Sequence, residues 1–201
     1  MRIAVVDLEN NTPQNEWQKS LTERVEWAPI IEIGAVMLDI RSGKIISSFE
    51  TFVNPNEAIF PEITALTGIS DVETTGPNSG SLDVALDNFY QWMADNNCKL
   101  MAAWGRDCDE IEKQAIKSGI INKFKKLDIK SMFDVLKGGL SGKKMKGGLK
   151  GTLETFGLTF EGKQHRAKVD ALNTAKLLFH AKEISLYADK IKEHKFRGLQ
   201  E

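Results

Sequence analysis

The sequence predicts an α/β fold, a sheet that starts as an antiparallel meander and is accompanied by helices. Three observations carry this: a β-branched run at the start that ends in two acids, two further apolar runs joined by a short turn, and a later alternation of strand-like and helix-like patterns.

The first run is Ile3-Ala4-Val5-Val6, followed by Asp7-Leu8-Glu9 and then Asn10, Asn11 and Pro13. This reads as a buried strand stopping at a sheet edge. Side chains alternate along a strand, so Asp7 and Glu9 point one way and Leu8 the other. Two neighbouring carboxylates repel unless a cation lies between them, and oxygen ligands suit Mg²⁺ or Mn²⁺. A solvated strand end would carry the same triplet, so the remaining segments decide its meaning.

Residues 10–29 are polar and carry Trp17 and Trp27, as a loop at the mouth of a site would, or a surface loop with docked tryptophans. Ile30 to Leu38 is a strong strand, Arg41-Ser42-Gly43-Lys44 a turn, and Ile45 to Val53 another strand, which with the first run makes a three-strand antiparallel meander. Glu62 to Ile69 reads as a short helix closed by Gly68. Pro77 and Ser81 open the next helix, in which Leu82, Ala85, Leu86, Phe89 and Met93 form a core-facing stripe. Lys99 to Trp104 is a fourth strand, and Cys108 to Ser118 a helix stopped by Gly119. A strand leading straight into a helix puts Asp107 at the carboxyl edge of a sheet, where open α/β sheets hold ligands.

Leu127 to Leu136 suggests a short strand or a helix start. Lys137 to Lys150 is rich in glycine and lysine and has no acid; its Lys143, Lys144 and Lys146 suit a phosphate contact or a solvated linker. It lacks the spacing of a P-loop. Thr152 to Phe156 is a helix ended by Gly157, and Val169 to Ile184 a long helix with Leu172, Ala175, Leu178 and Phe179 on one side. His165 and Asp170 are five apart; on a regular helix that is ~500°, leaving them ~140° apart. They converge only if His165 lies in the loop before the helix and Asp170 on its first turns, a loop that Gly162 permits. A histidine so placed beside a carboxylate cluster is a candidate general base.

The totals narrow the class. The chain has 201 residues, 41% apolar and 27% charged, with net charge −1, so affinity for a polyanion must be local or supplied by bound cations. The expected organisation is one domain over residues 1–185 with a helical tail over 186–201. Cys98 and Cys108 fit a reducing compartment better than a disulfide scaffold. No run approaches the ~18 apolar residues of a membrane span, and no secretory signal is read at the N-terminus. The expectation is a cytoplasmic protein.

In this order and at these separations the segments resemble the DEDDh family of 3′–5′ exonucleases, the DnaQ-like branch of the ribonuclease-H-like fold. The matching stretches are Val6-Asp7-Leu8-Glu9, Ile31-Glu32-Ile33-Gly34-Ala35-Val36, Leu66-Thr67-Gly68-Ile69, Trp104-Gly105-Arg106-Asp107, and His165-Arg166-Ala167 through Asp170 to Ala175. The last, with Phe160-Glu161-Gly162 before it, is most similar to the branch containing the histone-mRNA and RNAi-regulating exonucleases. The resemblance implies a ribonuclease-H-like mixed central sheet, the meander plus parallel strands, flanked by helices. It implies that Asp7, Glu9, Asp107 and Asp170 hold two Mg²⁺ or Mn²⁺ ions, that His165 is the base, and that Leu66 and Thr67 pack on the terminal base and sugar. Single-stranded 3′ ends of RNA or DNA would be the substrate and nucleoside 5′-monophosphates the product.

Two departures stand out. Related sequences often place two residues between the glycine after the tryptophan and the acid; here there is one, which makes Asp109 a rival. Asp107 is preferred because Ile111 and Ala115 then fall four and eight residues on, whereas from Asp109 those positions are Lys113 and Lys117. Asn10-Asn11 also stands where a small residue and a threonine often follow the glutamate. Two other readings fit some of the same residues: a binding module of this family without turnover, and an α/β domain using its acids for structural Mg²⁺ or Ca²⁺, which gives His165 no role. The choice of RNA or DNA and the oligomeric state, a homodimer included, stay open.

Overall fold

The computed structural model describes residues 1–12, 28–119, 131–134 and 147–180. Trp17, Trp27, Lys143, Lys144, Lys146 and the tail 186–201 lie outside the described residues. Six strands form one sheet: β1 (Arg2–Asn10), β2 (Ile30–Asp39), β3 (Lys44–Val53), β4 (Ser79–Gly80), β5 (Leu100–Ala103) and β6 (Ser131–Asp134), in the order β4-β3-β2-β1-β5-β6. The helices are α1 (Pro61–Thr67), α2 (Asp71–Thr75), α3 (Leu82–Asp95), α4 (Asp107–Lys117), α5 (Gly148–Thr155) and α6 (Ala167–His180). β1 to β3 pair antiparallel, while β1–β5, β5–β6 and β3–β4 are parallel. The expected mixed sheet, meander plus parallel strands, is what the chain builds.

β1 lies between β2 and β5, so both its edges are paired, and helices cover both its faces, which leaves Ile3, Ala4, Val5 and Val6 wholly buried. Its alternation divides the core into two layers. Ala4, Val6 and Leu8 pack with Leu86, Phe89 and Met93 of α3 and with Ile111 and Ala115 of α4. Ile3 and Val5 pack on the other face with Leu153 of α5 and Ala171, Ala175 and Leu178 of α6. A third, smaller cluster of Ile31, Ile59, Ile63 and Ile69 seats α1.

Three elements differ from the sequence expectation. α2 falls within residues read as connection, and β4 within the Pro77–Ser81 stretch read as opening a helix, which starts only at Leu82; α2 is opened by a capping box in which Ser70 and Glu73 exchange hydrogen bonds. α5 starts at Gly148 rather than Thr152, with Gly147 left-handed at φ 82° just before it. Lys150, read as part of the basic loop, therefore lies on a helix, whose Leu153 is wholly buried. Burial there outweighs the poor helix propensity of glycine. No helix among the described residues is long and apolar enough to cross a membrane.

Candidate active site

The site is built where β1 ends. Asp7 and Glu9 share the face of Ile3 and Val5, which α6 covers. Across the antiparallel ladder Asp7 pairs with Gly34 and Glu9 with Glu32. A Cβ at Gly34 would lie 2.0 Å from the Lys168 nitrogen and 2.3 Å from the Ala167 carbonyl carbon. The bare glycine backbone is thus what lets α6 begin against the sheet, one strand away from Asp7.

His165 lies in the loop before α6, in the left-handed region at φ 61°, and Gly162 upstream turns the chain at φ 90°. The His165 N–H donates to Asp170 Oδ2 at 3.0 Å. Loop and first turn thus bring together two residues that a continuous helix would separate. Glu9, His165 and Asp170 each offer a ligand atom within 4.8 Å of the others. Asp170 Oδ1 is buried and finds no hydrogen-bond partner among the described residues.

The acids feel one another. Burial, and then the charges of Asp107, Glu9, Asp170 and Glu32, hold the Asp7 carboxyl well above the usual carboxylate range. Burial and the same neighbouring acids push Glu9 up to about 8, with Arg166 pulling the other way. Asp170 is raised by burial against the opposing hydrogen bond from the His165 amide. Acids whose protons are held more tightly in this way exchange them for a cation when one binds. The carboxylate oxygens, one of them buried and orphaned, fit a hard divalent ion, with the His165 imidazole beside them.

Asp107 opens α4, and its charge is the largest acting on Asp7. Asp109 is half exposed, lies 3.8 Å from Arg106, and acts on Glu112 instead. Leu66, near the end of α1, is an exposed apolar side chain. Beside it Thr67 is buried; its hydroxyl donates to the Ile63 carbonyl at 2.8 Å and accepts from the Ile69 N–H at 2.9 Å. Lys163, from the loop that carries His165, reaches across and donates to the Thr67 carbonyl at 3.1 Å.

Sequence reasoning gave no role to Glu32 or Arg166, and marked Asn11 as a departure from the family pattern. Glu32 is 0% exposed, and its carboxylate accepts from Arg166 Nη2 at 2.8 Å, from Arg166 Nε at 3.2 and 3.3 Å, and from the Ala167 N–H at 2.9 Å. A single carboxylate inside the nine-residue apolar run from Ile30 to Leu38 was the available signal, since a buried acid needs a partner. Asn11 is 1% exposed; its amide donates to Glu57 Oε1 at 2.9 Å and the Ala58 carbonyl at 3.1 Å and accepts from the Phe60 N–H at 3.0 Å. It fastens the segment leading into α1 to the end of β1.

Comparison with known proteins agrees with this arrangement. Residues 5–178 match the family described as exonuclease (RNase_T). The chain is 26% identical to ERI1 exoribonuclease 2 of Xenopus laevis, a match covering 74% of this chain and 24% of that protein. It thus spans about a quarter of the length of the curated relatives it matches. Among solved structures, the nuclease domain of 3′hExo, a DEDDh family member bound to rAMP, superposes with a TM-score of 0.66 at 18% identity, over 95% of this chain and 94% of that one. Pop2p of S. pombe, in a Mg²⁺- and Mn²⁺-bound form, superposes with a TM-score of 0.58 at 19% identity, over 88% and 81%. With the family match running from residue 5 to residue 178, the protein belongs to the exonuclease (RNase_T) family.

Proposed function

We propose that this chain is a metal-dependent 3′–5′ exonuclease that removes nucleoside 5′-monophosphates from single-stranded 3′ ends of RNA or DNA. The observation that carries this reading is the convergence of Glu9, His165 and Asp170 within 4.8 Å, in the electrostatic reach of Asp7 and Asp107. Family membership supports the hydrolytic nuclease, and the Mg²⁺- and Mn²⁺-bound relative supports the choice of ions.

In this reading Asp7, Glu9, Asp107 and Asp170 hold two cations. When bound, such ions supply an activated water and charge stabilisation for the leaving 3′ oxygen. The protein's own part is to gather four carboxylates that would otherwise repel, and to exclude solvent from them. His165 accepts the proton of the attacking water, in a loop whose backbone is tied to Asp170. Leu66 receives the last base by apolar contact, and Thr67 holds the turn that presents it. Lys143, Lys144 and Lys146 are proposed as contacts to the phosphates upstream.

The test is digestion of matched 5′-labelled RNA and DNA, single- and double-stranded, with Mg²⁺, with Mn²⁺ and with chelator. Stepwise shortening from the 3′ end that needs the metal, and that Asp7→Asn abolishes in a folded protein, is the expected result. Activity near wild type in Asp7→Asn, or no shortening of any substrate in either metal, overturns the reading.

A further inference from the structure

The loop before α6 is held from two directions. One tether is the His165 amide on Asp170 Oδ2. The other is the next residue: the Arg166 guanidinium forks onto buried Glu32, lies 3.6 Å from Glu50 Oε1, and sits 5.5 Å from the centroid of the Phe52 ring. The same Glu32 carboxylate accepts the Ala167 N–H, which opens the helix. His165 is thereby clamped on both sides in a left-handed conformation that a non-glycine residue seldom adopts.

The geometry points to Arg166 and Glu32 as positioning residues for His165. Their ion pair fixes the backbone setting that stands the imidazole beside Glu9 and Asp170. This rests on His165 being the general base, and neither residue touches the reacting atoms. A role in docking the helix does not account for the pair, because Ala171, Ala175, Leu177 and Leu178 already pack α6 onto the sheet. Nor would a lysine substitute, since an ammonium has no planar fork to engage both carboxylate oxygens and lie over Phe52.

The experiment compares wild type, Arg166→Ala, Arg166→Lys and Glu32→Gln on a 5′-labelled single strand with Mn²⁺, with kcat normalised to the measured Mn²⁺ stoichiometry. For Arg166→Ala a fall in kcat of about 10²-fold at saturating Mn²⁺ is expected from a misplaced base, with KM within about threefold of wild type. Added guanidinium ion should restore part of that rate, which a loss of fold would not allow. Arg166→Lys keeps a cation opposite Glu32 and carries the test if Arg166→Ala does not fold; its kcat should still fall about tenfold. Wild-type kcat in either folded arginine variant, or losses that only follow the metal stoichiometry, overturns the assignment. Hydrogen exchange gives a readout independent of turnover. The His165 amide should be protected in wild type and exchange faster in the arginine variants, while β1 and β2 amides keep their protection. Unchanged protection at His165 sinks the clamp, whereas wild-type protein that cleaves nothing sinks the nuclease reading and leaves this readout to decide the clamp.

Discussion

Glu9 of β1 and Glu32 of β2 are direct cross-strand partners, two buried carboxylates facing each other under α6. Like charges in that relation destabilise a sheet. The two acids are relieved differently. Glu32 has the Arg166 fork. Glu9 has no ion pair among the described residues, and burial with its acidic neighbours pushes it up to about 8 against the charge of Arg166.

A pH dependence follows. The folded protein without metal binds the Glu9 proton more tightly than the unfolded chain, whose carboxyl titrates near 4.5. The stability this group contributes is therefore full below about 4.5 and is lost as pH rises through about 8. The raised Asp7 and Asp170 carboxyls act in the same direction. Thermal melts in chelator should show Tm falling from pH 5 to pH 8, and Mn²⁺ should flatten or reverse that slope. Calorimetry at pH 7 in buffers of different ionisation enthalpy should show about one or more protons released per site filled.

Asp107→Asn and Asp109→Asn should separate sharply. The first removes the charge that acts most on Asp7, and cleavage should fall on the order of 10²-fold or more. The second removes an exposed pair with Arg106, a contact worth under about 1 kcal/mol, and should leave kcat/KM within about threefold. Single-turnover cleavage of the two variants decides between them.

Gly34→Ala places a methyl group where the α6 backbone already stands. Neither strand nor helix start can yield cheaply, so the substitution should cost about 1–3 kcal/mol or more in urea unfolding. Because the displaced helix carries Asp170, Mn²⁺ affinity should fall with stability. A folded variant with wild-type affinity would contradict this.

Asn11→Ala strips three hydrogen bonds from a buried junction and leaves the Phe60 N–H and the Ala58 carbonyl without that partner. The expected cost is about 1–3 kcal/mol. Since the junction seats α1 and Leu66, KM for a single strand should rise more than kcat falls. Steady-state kinetics on a short oligonucleotide checks the split.

Much of this was legible in the residues themselves. The alternation of Ile3 to Glu9 fixed which acids share a face, and the αL cap at Gly68 marked the end of α1. The spacing of His165 and Asp170 required a loop-to-helix junction, and one is there. What stayed hidden depends on register. Nothing local says that Glu9 meets Glu32, or that Gly34 lies under Lys168; those facts arise when strands pair and a helix lands on them. The Ser70–Glu73 box was readable but opens only five residues of helix, too few for hydrophobic periodicity to reveal. Asn11, read as a departure from the pattern of related sequences, is spent on the scaffold, because its amide matches three groups of the segment before α1.

The acids enter the centre from opposite ends of the described chain, Asp7 on the first strand and Asp170 on the last helix. Ribosomes emit residues in order at ~5–20 per second, so roughly ten to thirty seconds separate the two. Throughout that interval the nascent polypeptide carries half a centre and cannot complete it. On the proposed exonuclease reading, nucleic acid beside the nascent chain is spared until α6, the last described helix, settles against Gly34.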